Sequence, residues 1–252
     1  MNDHRPQKIR LDRLLVERGL AESCPKAQAL ILAGQVLVDE QKVNKCGTAV
    51  SAEARLRLLG GALRYVSRAG LKLEAALDHF QVDPKGKLCL DVGASTGGFT
   101  DCMLQRGALR VFAVDAGTNQ LDWKLRQDSR VTVMEKNNAR YLTFDQIGAR
   151  VALATMDVSF ISPTLILPAL PPLLDEGADL LVLVKPQFEL APGQVGEGGV
   201  VRDPRLHEQA IARVERKTSE LGFILHGRVE SALRGASGNR EFFLHAIWPK
   251  NV

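Results

Sequence analysis

The stretch Leu88-Cys89-Leu90-Asp91-Val92-Gly93-Ala94-Ser95-Thr96-Gly97-Gly98-Phe99-Thr100 constrains this chain more than any other. Its apolar opening reads as a buried strand, its small residues as a tight loop, and Gly98-Phe99-Thr100 as the start of a helix. Gly93, Gly97 and Gly98 let the backbone turn sharply and leave no side chain between peptide and ligand. A loop of this kind lies against a nucleotide-like cofactor at the carboxyl edge of an open α/β sheet. The reading that follows for Asp91, Gly93, Ser95, Gly97, Gly98 and Phe99 is cofactor contact, although a strand-end carboxylate such as Asp91 can also serve only its own loop.

From residue 65 onward, strand and helix patterns alternate. Strands are predicted at 87–92, 110–115, 130–135, 151–157, 179–185, 223–229 and 241–248, and helices at 67–80, 98–106, 120–127, 163–174 and 204–221. Such alternation predicts an α/β domain with a doubly wound, mostly parallel sheet. The last two strands, joined by the polar loop Ser231–Arg240, are expected to close it as an antiparallel hairpin.

Ahead of this domain, residues 8–60 predict a small α+β unit, followed by a linker at 61–64. Leu11, Leu14 and Leu15 share one helical face that Gly19 ends. Ser23 is placed to cap a second helix carrying Ala27, Leu30 and Ile31, with Gly34 closing it. Val36-Leu37-Val38 reads as a strand, Lys42-Val43 as its return, and Arg55-Leu56-Arg57-Leu58 as an edge strand.

Charge separates the two parts. Residues 1–64 hold 11 Lys+Arg against 7 Asp+Glu, and the remainder holds 22 against 22, so the formal excess of +4 sits in the N-terminal quarter. A small basic unit joined to a neutral cofactor-type domain points to a polyanion partner, with Lys8, Arg10, Arg13, Lys26, Lys42 and Lys45 as its candidate contacts. No apolar run reaches the roughly 20 residues of a membrane span, and Met1–Pro6 lacks an apolar signal core, so a cytoplasmic protein without membrane contact is expected. Cys24, Cys46, Cys89 and Cys102 show no close pairing, which predicts reduced thiols and no metal site.

The cofactor is narrowed by spacing. Strand 110–115 ends in Asp115, 22 residues after Gly93, where an acid can bind ribose hydroxyls of a nicotinamide or an adenosyl cofactor. Asn138 follows the next strand and is either an adenine-edge contact or a surface turn. No phosphate-cradling lysine motif follows the glycines, which excludes a P-loop. Asp91-x-Gly93-x-Ser95-x-Gly97 resembles the D-x-G-x-G-x-G loop of S-adenosylmethionine (SAM)-dependent methyltransferases, which favours SAM.

Four ionisable residues complete a candidate catalytic set. Asp157 and Lys185 end apolar strands and therefore share the carboxyl edge with the glycine loop. Lys72 lies on the helix leading into the sheet, and Glu241 opens the last strand. A lysine after five apolar residues and before Pro186 is either a snorkelling edge residue or a functional amine.

This Lys–Asp–Lys–Glu set resembles that of the FtsJ-type ribose 2′-O-methyltransferases. Ser67-Arg-Ala-Gly-Leu-Lys-Leu, Asp91-Val-Gly-Ala-Ser-Thr-Gly-Gly-Phe-Thr-Asp, Met156-Asp-Val-Ser-Phe-Ile-Ser, Val184-Lys-Pro-Gln-Phe-Glu and Gly198-Gly-Val-Val-Arg-Asp-Pro together resemble the TlyA/hemolysin A family over nearly the whole chain. Arg10-Leu-Asp-Arg-Leu-Leu and Lys26–Asp39 likewise resemble a small S4-type RNA-binding domain. The resemblance implies a Rossmann-like fold, SAM as cofactor, and 2′-O-methylation of cytidine in ribosomal RNA or a ribosomal subunit. It further implies that Lys185 accepts a proton while Lys72, Asp157 and Glu241 position the reacting groups. Two other readings stay open: a non-catalytic SAM-binding ribosome-assembly factor, and a membrane-lytic protein, against which stands the lack of a basic amphipathic helix. Oligomeric state has no signature in the sequence.

Overall fold

Strand β6 (Leu88–Val92) is buried along nearly its whole length because it is an inner strand of a sheet covered by helices on both faces. The computed structural model describes residues 8–58, 64–235 and 237–250. The chain divides after residue 63 into two units. Positions 61–63 of the expected linker, and 59–60 at the end of the expected first domain, lie outside the described residues.

The smaller unit runs β1 (Lys8–Arg10), α1 (Leu11–Glu17), α2 (Cys24–Leu32), β2 (Val36–Val38), β3 (Gln41–Lys42), β4 (Ala49–Ser51) and β5 (Leu56–Leu58). Leu11, Leu14, Leu15, Ala27, Ile31 and Val36 make its core. Ser23 caps α2 by accepting the Lys26 N–H at 3.4 Å. Strands β3, β2 and β5 form a three-stranded antiparallel sheet. Strands β1 and β4, which the sequence patterns do not predict, pair through Ile9 and Val50. Three-residue strands 40 residues apart carry too little periodicity to read locally.

The larger unit runs α3 (Ala69–Phe80), β6, α4 (Gly98–Gln105), β7 (Arg110–Val114), α5 (Trp123–Arg126), β8 (Val131–Met134), α6 (Phe144–Ile147), β9 (Val151–Met156), β10 (Leu174–Val184), α7 (Pro186–Glu189), α8 (Pro204–Glu220), β11 (Ile224–Glu230) and β12 (Phe242–Ile247). Its seven strands lie in the order β11-β12-β10-β9-β6-β7-β8. All neighbouring pairs are parallel except β10–β12 and β11–β12, so the expected parallel sheet and closing hairpin are both present. The chain moves outward from β6 through β7 and β8 on one side, and through β9 and β10 on the other. The topological switch therefore falls between β6 and β9, where an open α/β sheet leaves a crevice beyond its strand ends.

One predicted helix is replaced. Residues 163–174 form three short 3₁₀ turns, at 163–165, 167–169 and 171–173. Pro163, Pro168, Pro171 and Pro172 each lack the N–H that a continuous α-helical ladder needs. Strand β10 then starts at Leu174, five residues before the expected 179, because a bulge between Leu174 and Asp179 lets both ends pair with β9. The predicted helix at 120–127 contracts to α5, whose start is fixed by Asp122 accepting the Lys124 N–H at 2.9 Å.

Candidate active site

Strand geometry delivers the catalytic candidates to one edge. Asp157 and Lys185 follow directly on β9 and β10, while β12 runs the opposite way and so brings Glu241 to the same edge from its beginning. Lys72 enters from the first turn of α3. The structure sorts the four into two ion pairs: Lys185 Nζ lies 2.6 Å from Asp157 Oδ1, and Lys72 Nζ lies 2.6 Å from Glu241 Oε2. The first contact is off-axis for a hydrogen bond, and Lys185 instead donates to Ser159 Oγ at 2.8 Å. Lys72 donates directly to Glu241.

Three adjoining hollows meet around this constellation. A cavity of about 590 Å³ is lined by both lysines, Glu241, Ser159, Phe160 and Asn239. A second, about 460 Å³, runs along Asp115, Asn138, Asp157 and the apolar side chains Val114, Val158 and Ile166. A smaller hollow of about 150 Å³ lies under the glycine loop and touches Ser67, Gly93, Ser95, Gly98, Phe99, Asp157 and Lys185. Ser159 borders all three, and the Asp157–Lys185 pair sits where they join.

Backbone requirements explain two of the glycines. Gly93 has φ +85°, and a Cβ there would collide with the Asp157 carbonyl, so only glycine lets the loops after β6 and β9 touch. Gly97 has φ +95° and lies against Leu125, leaving no room for a side chain. Gly98 packs on Ser67, whose hydroxyl is buried and has no protein partner among the described residues. Phe99 is buried and stacks on Phe243 at 5.9 Å between ring centres.

Besides Ser95, three polar candidates for the cofactor differ in placement. Asp115 lines the second hollow and accepts the N–H groups of Ser95 and Gly117, each at 2.7 Å. Asn138 lines the same hollow while its oxygen accepts from Arg140 N and Nε, both at 3.2 Å. Asp91 is wholly buried instead: it accepts from Thr100 Oγ1 at 2.6 Å and Thr155 Oγ1 at 3.2 Å. Burial, reinforced by nearby Asp157 and opposed by the threonines, pushes its carboxyl up to about 7. Its side chain therefore braces the loop from behind, which is the local alternative that the sequence leaves open.

Sequence reasoning passes over two residues of the site. Ser159 anchors Lys185, and Phe160 is 91% exposed with φ +64°, standing between the two larger hollows. Its ring meets Phe188 at 5.2 Å. An exposed phenylalanine in a backbone conformation that side chains disfavour is a candidate for a ligand contact. In the sequence it looks like one more apolar residue of Val158-Ser-Phe-Ile.

On the smaller unit, Lys8, Arg13, Lys42 and Lys45 are exposed and have no ion-pair partner among the described residues. Arg10 is held by Asp12 at 2.7 Å, and Lys26 by Glu22 at 3.1 Å. Among the described residues, no group of His, Cys, Asp or Glu is arranged to hold a metal, and no helix is long and apolar enough to cross a membrane. All four cysteines are free.

Fold and site together define a SAM-type methyltransferase class of α/β protein, and comparison with known proteins agrees. Residues 65–247 match the FtsJ-like methyltransferase family and residues 9–56 the S4 domain. A Bacillus subtilis protein named as a candidate rRNA methyltransferase, YqxC, is 51% identical, covering 96% of this chain and 87% of its own. The 16S/23S rRNA (cytidine-2′-O)-methyltransferase TlyA of Mycobacterium tuberculosis is 48% identical, covering 94% of this chain and 89% of its own. A solved candidate hemolysin of Streptococcus thermophilus superposes with a TM-score of 0.76 at 44% identity, covering 98% of this chain and 90% of that one. The chain belongs to the FtsJ-like methyltransferases, and within them to the TlyA/hemolysin A family.

Proposed function

We propose that this protein methylates a ribose 2′-hydroxyl of ribosomal RNA, a cytidine by analogy with its relatives, and uses SAM in the cytoplasm. The observation that carries the reading is the Asp157–Lys185 pair at the junction of the three hollows. The second hollow suits an adenosine: Asp115 offers a carboxylate to ribose hydroxyls, Asn138 flanks the base, and Val114, Val158 and Ile166 supply apolar walls. The small hollow beneath the glycine loop suits the amino-acid end, with Ser67 and Ser95 as its polar contacts. Bound there, SAM supplies a methyl group on a sulfonium.

The large cavity receives the target nucleotide, with Phe160 as a stacking surface for its base. Lys72 and Glu241 hold the ribose, and Asp157 and Ser159 hold Lys185 against the 2′-oxygen. Lys185 Nζ, in its neutral form, would accept the proton that the 2′-hydroxyl gives up on methylation. Lys8, Arg13, Lys42 and Lys45 grip the RNA backbone without reading sequence.

The test is methyl transfer to ribosomal RNA and subunits by wild type, K185A and K185R, with 2′-O-methyl sites mapped. General-base loss lowers the rate about 10²- to 10⁴-fold, and arginine does not rescue because it cannot accept the proton. Wild-type rates in K185A would remove Lys185 from the mechanism.

A further inference from the structure

Two of the sequence motifs each carry a catalytic candidate at their second position and end with a residue the mechanism leaves unused. They are Met156-Asp-Val-Ser-Phe-Ile-Ser162 and Val184-Lys-Pro-Gln-Phe-Glu189. In the structure the two segments touch at their starts, midway and at their ends. Their starts are paired through Asp157 and Lys185, and Lys185 donates to Ser159. Phe160 meets Phe188, and the far ends are joined by a buried hydrogen bond from Ser162 Oγ to Glu189 Oε2 at 2.6 Å.

Glu189 is a costly residue for a merely structural contact. It is 3% exposed, its Oε1 has no partner among the described residues, and burial pushes its carboxyl up against the pull of Ser162 and Arg213. Leaving one carboxyl oxygen unsatisfied in the interior is costly, and an apolar side chain would avoid that cost. Both neighbours of this latch are themselves tied down. Ser162 also contacts Thr164 Oγ1 at 2.7 Å and accepts the Thr164 N–H at 3.2 Å. From α8, Arg213 Nη1 donates to the Glu189 carbonyl at 2.7 Å.

We infer that the Ser162–Glu189 hydrogen bond is a latch that fixes the two catalytic loops to each other, making Glu189 a positioning residue for Lys185 and for the Phe160 platform. Glu189 lies four positions after Lys185, and Ser162 five positions after Asp157, so the latch closes a short double loop whose other end is the catalytic pair. Small displacements there are expensive, because a misplacement of about 1 Å at a reacting group can cost on the order of 10²-fold in rate. This role rests on the methyltransferase reading for its kinetic consequence, but not for its mechanical one.

The experiment therefore reads both. E189A, E189Q, S162A and the double variant E189A/S162A are compared in kcat, in KM for RNA, in SAM affinity, and in amide hydrogen exchange at 157–162 and 187–189. The latch predicts a fall in kcat of about 10- to 100-fold for E189A, with KM and SAM affinity within about twofold. It predicts that E189Q, whose amide oxygen still accepts from Ser162, recovers most of the loss, and that the double variant is no worse than E189A. Exchange rises in both loops and stays unchanged in α4. Unchanged exchange in the two loops of E189A overturns the latch whether or not the protein is active. Additive losses in the double variant, or E189Q as poor as E189A, overturn it as well. An inactive wild type with the predicted exchange pattern would instead refute the methyltransferase reading and leave the latch standing.

Discussion

In the N-terminal unit Lys8, Arg13, Lys42 and Lys45 stand in solvent without ion-pair partners among the described residues, whereas Lys72 and Lys185 of the larger unit are 12% and 11% exposed and each faces a carboxylate. The same side-chain type is thus used for opposite ends. Exposed cations attract any polyanion, and salt screens them. Cations held at 2.6 Å by Asp157 and Glu241 contribute little long-range field but keep their nitrogen atoms in fixed places. On the proposed function, binding strength and chemical precision would fall to different parts of one chain.

The sharpest way to break this division is to strip charge from the smaller unit. R13A/K42A/K45A should raise KM for ribosomal RNA about tenfold or more while kcat stays within about twofold. The slope of log affinity against log salt should become shallower by up to about 3. A matching fall in kcat would mean that these residues also align the substrate. A second effect, on kcat/KM, belongs to the exposed ring in the larger unit. F160A should lower kcat/KM for RNA about 5- to 100-fold, in keeping with the loss of one stacked base. F160G should do no better, although glycine relieves the φ of +64°. Recovery in F160G would mean that backbone strain, and not the ring, is what the position supplies.

The smallest effect separates the two units by their buried aspartates. Hydrogen bonds from Arg10 and then Gln28 hold the Asp12 carboxyl well below the usual carboxylate range, against the opposing effect of burial. Its contribution is present above the unfolded value near 3.8 and is lost as pH falls below it. Asp91 is shifted the other way, chiefly by burial. Its contribution is full below about 3.8 and disappears as pH rises through about 7. D91N cannot titrate and keeps an oxygen for one threonine, so its melting temperature relative to wild type should climb between pH 5 and pH 8. D12N should lose ground to wild type at neutral pH and regain it only in strong acid. Parallel pH curves for wild type and D91N would show that Asp91 titrates normally.

Much of this site was legible before any coordinates. Apolar runs fix where strands end, and strand ends fix the edge, so Asp157 and Lys185 could be placed on one crevice with the glycine loop. The partnering was not legible. Nothing in the spacing shows that Glu241 takes Lys72 and Asp157 takes Lys185, because that depends on β12 running antiparallel beside β10. Asp91 shows the other kind of difficulty. Its position in the cofactor loop is evident, but the direction of its side chain follows from Thr100 and Thr155, one of them 64 residues away. The 3₁₀ turns at 163–173 were hidden by a helix-like apolar spacing that four prolines override. Phe160 could not be separated from its apolar neighbours, since exposure is a property of the fold.

The reversed direction of β12 has a consequence for how such a protein can diversify. Every parallel strand hands its functional residue to a loop that must then travel back to begin the next strand. Glu241 is delivered by the hairpin loop after β11, and that loop also supplies Ser237 and Asn239 to the wall of the large cavity. Hairpin length can change without altering the register of the strands that carry Asp157 and Lys185. One wall of the large cavity is therefore exchangeable, while Asp157 and Lys185 are fixed to the ends of sheet strands.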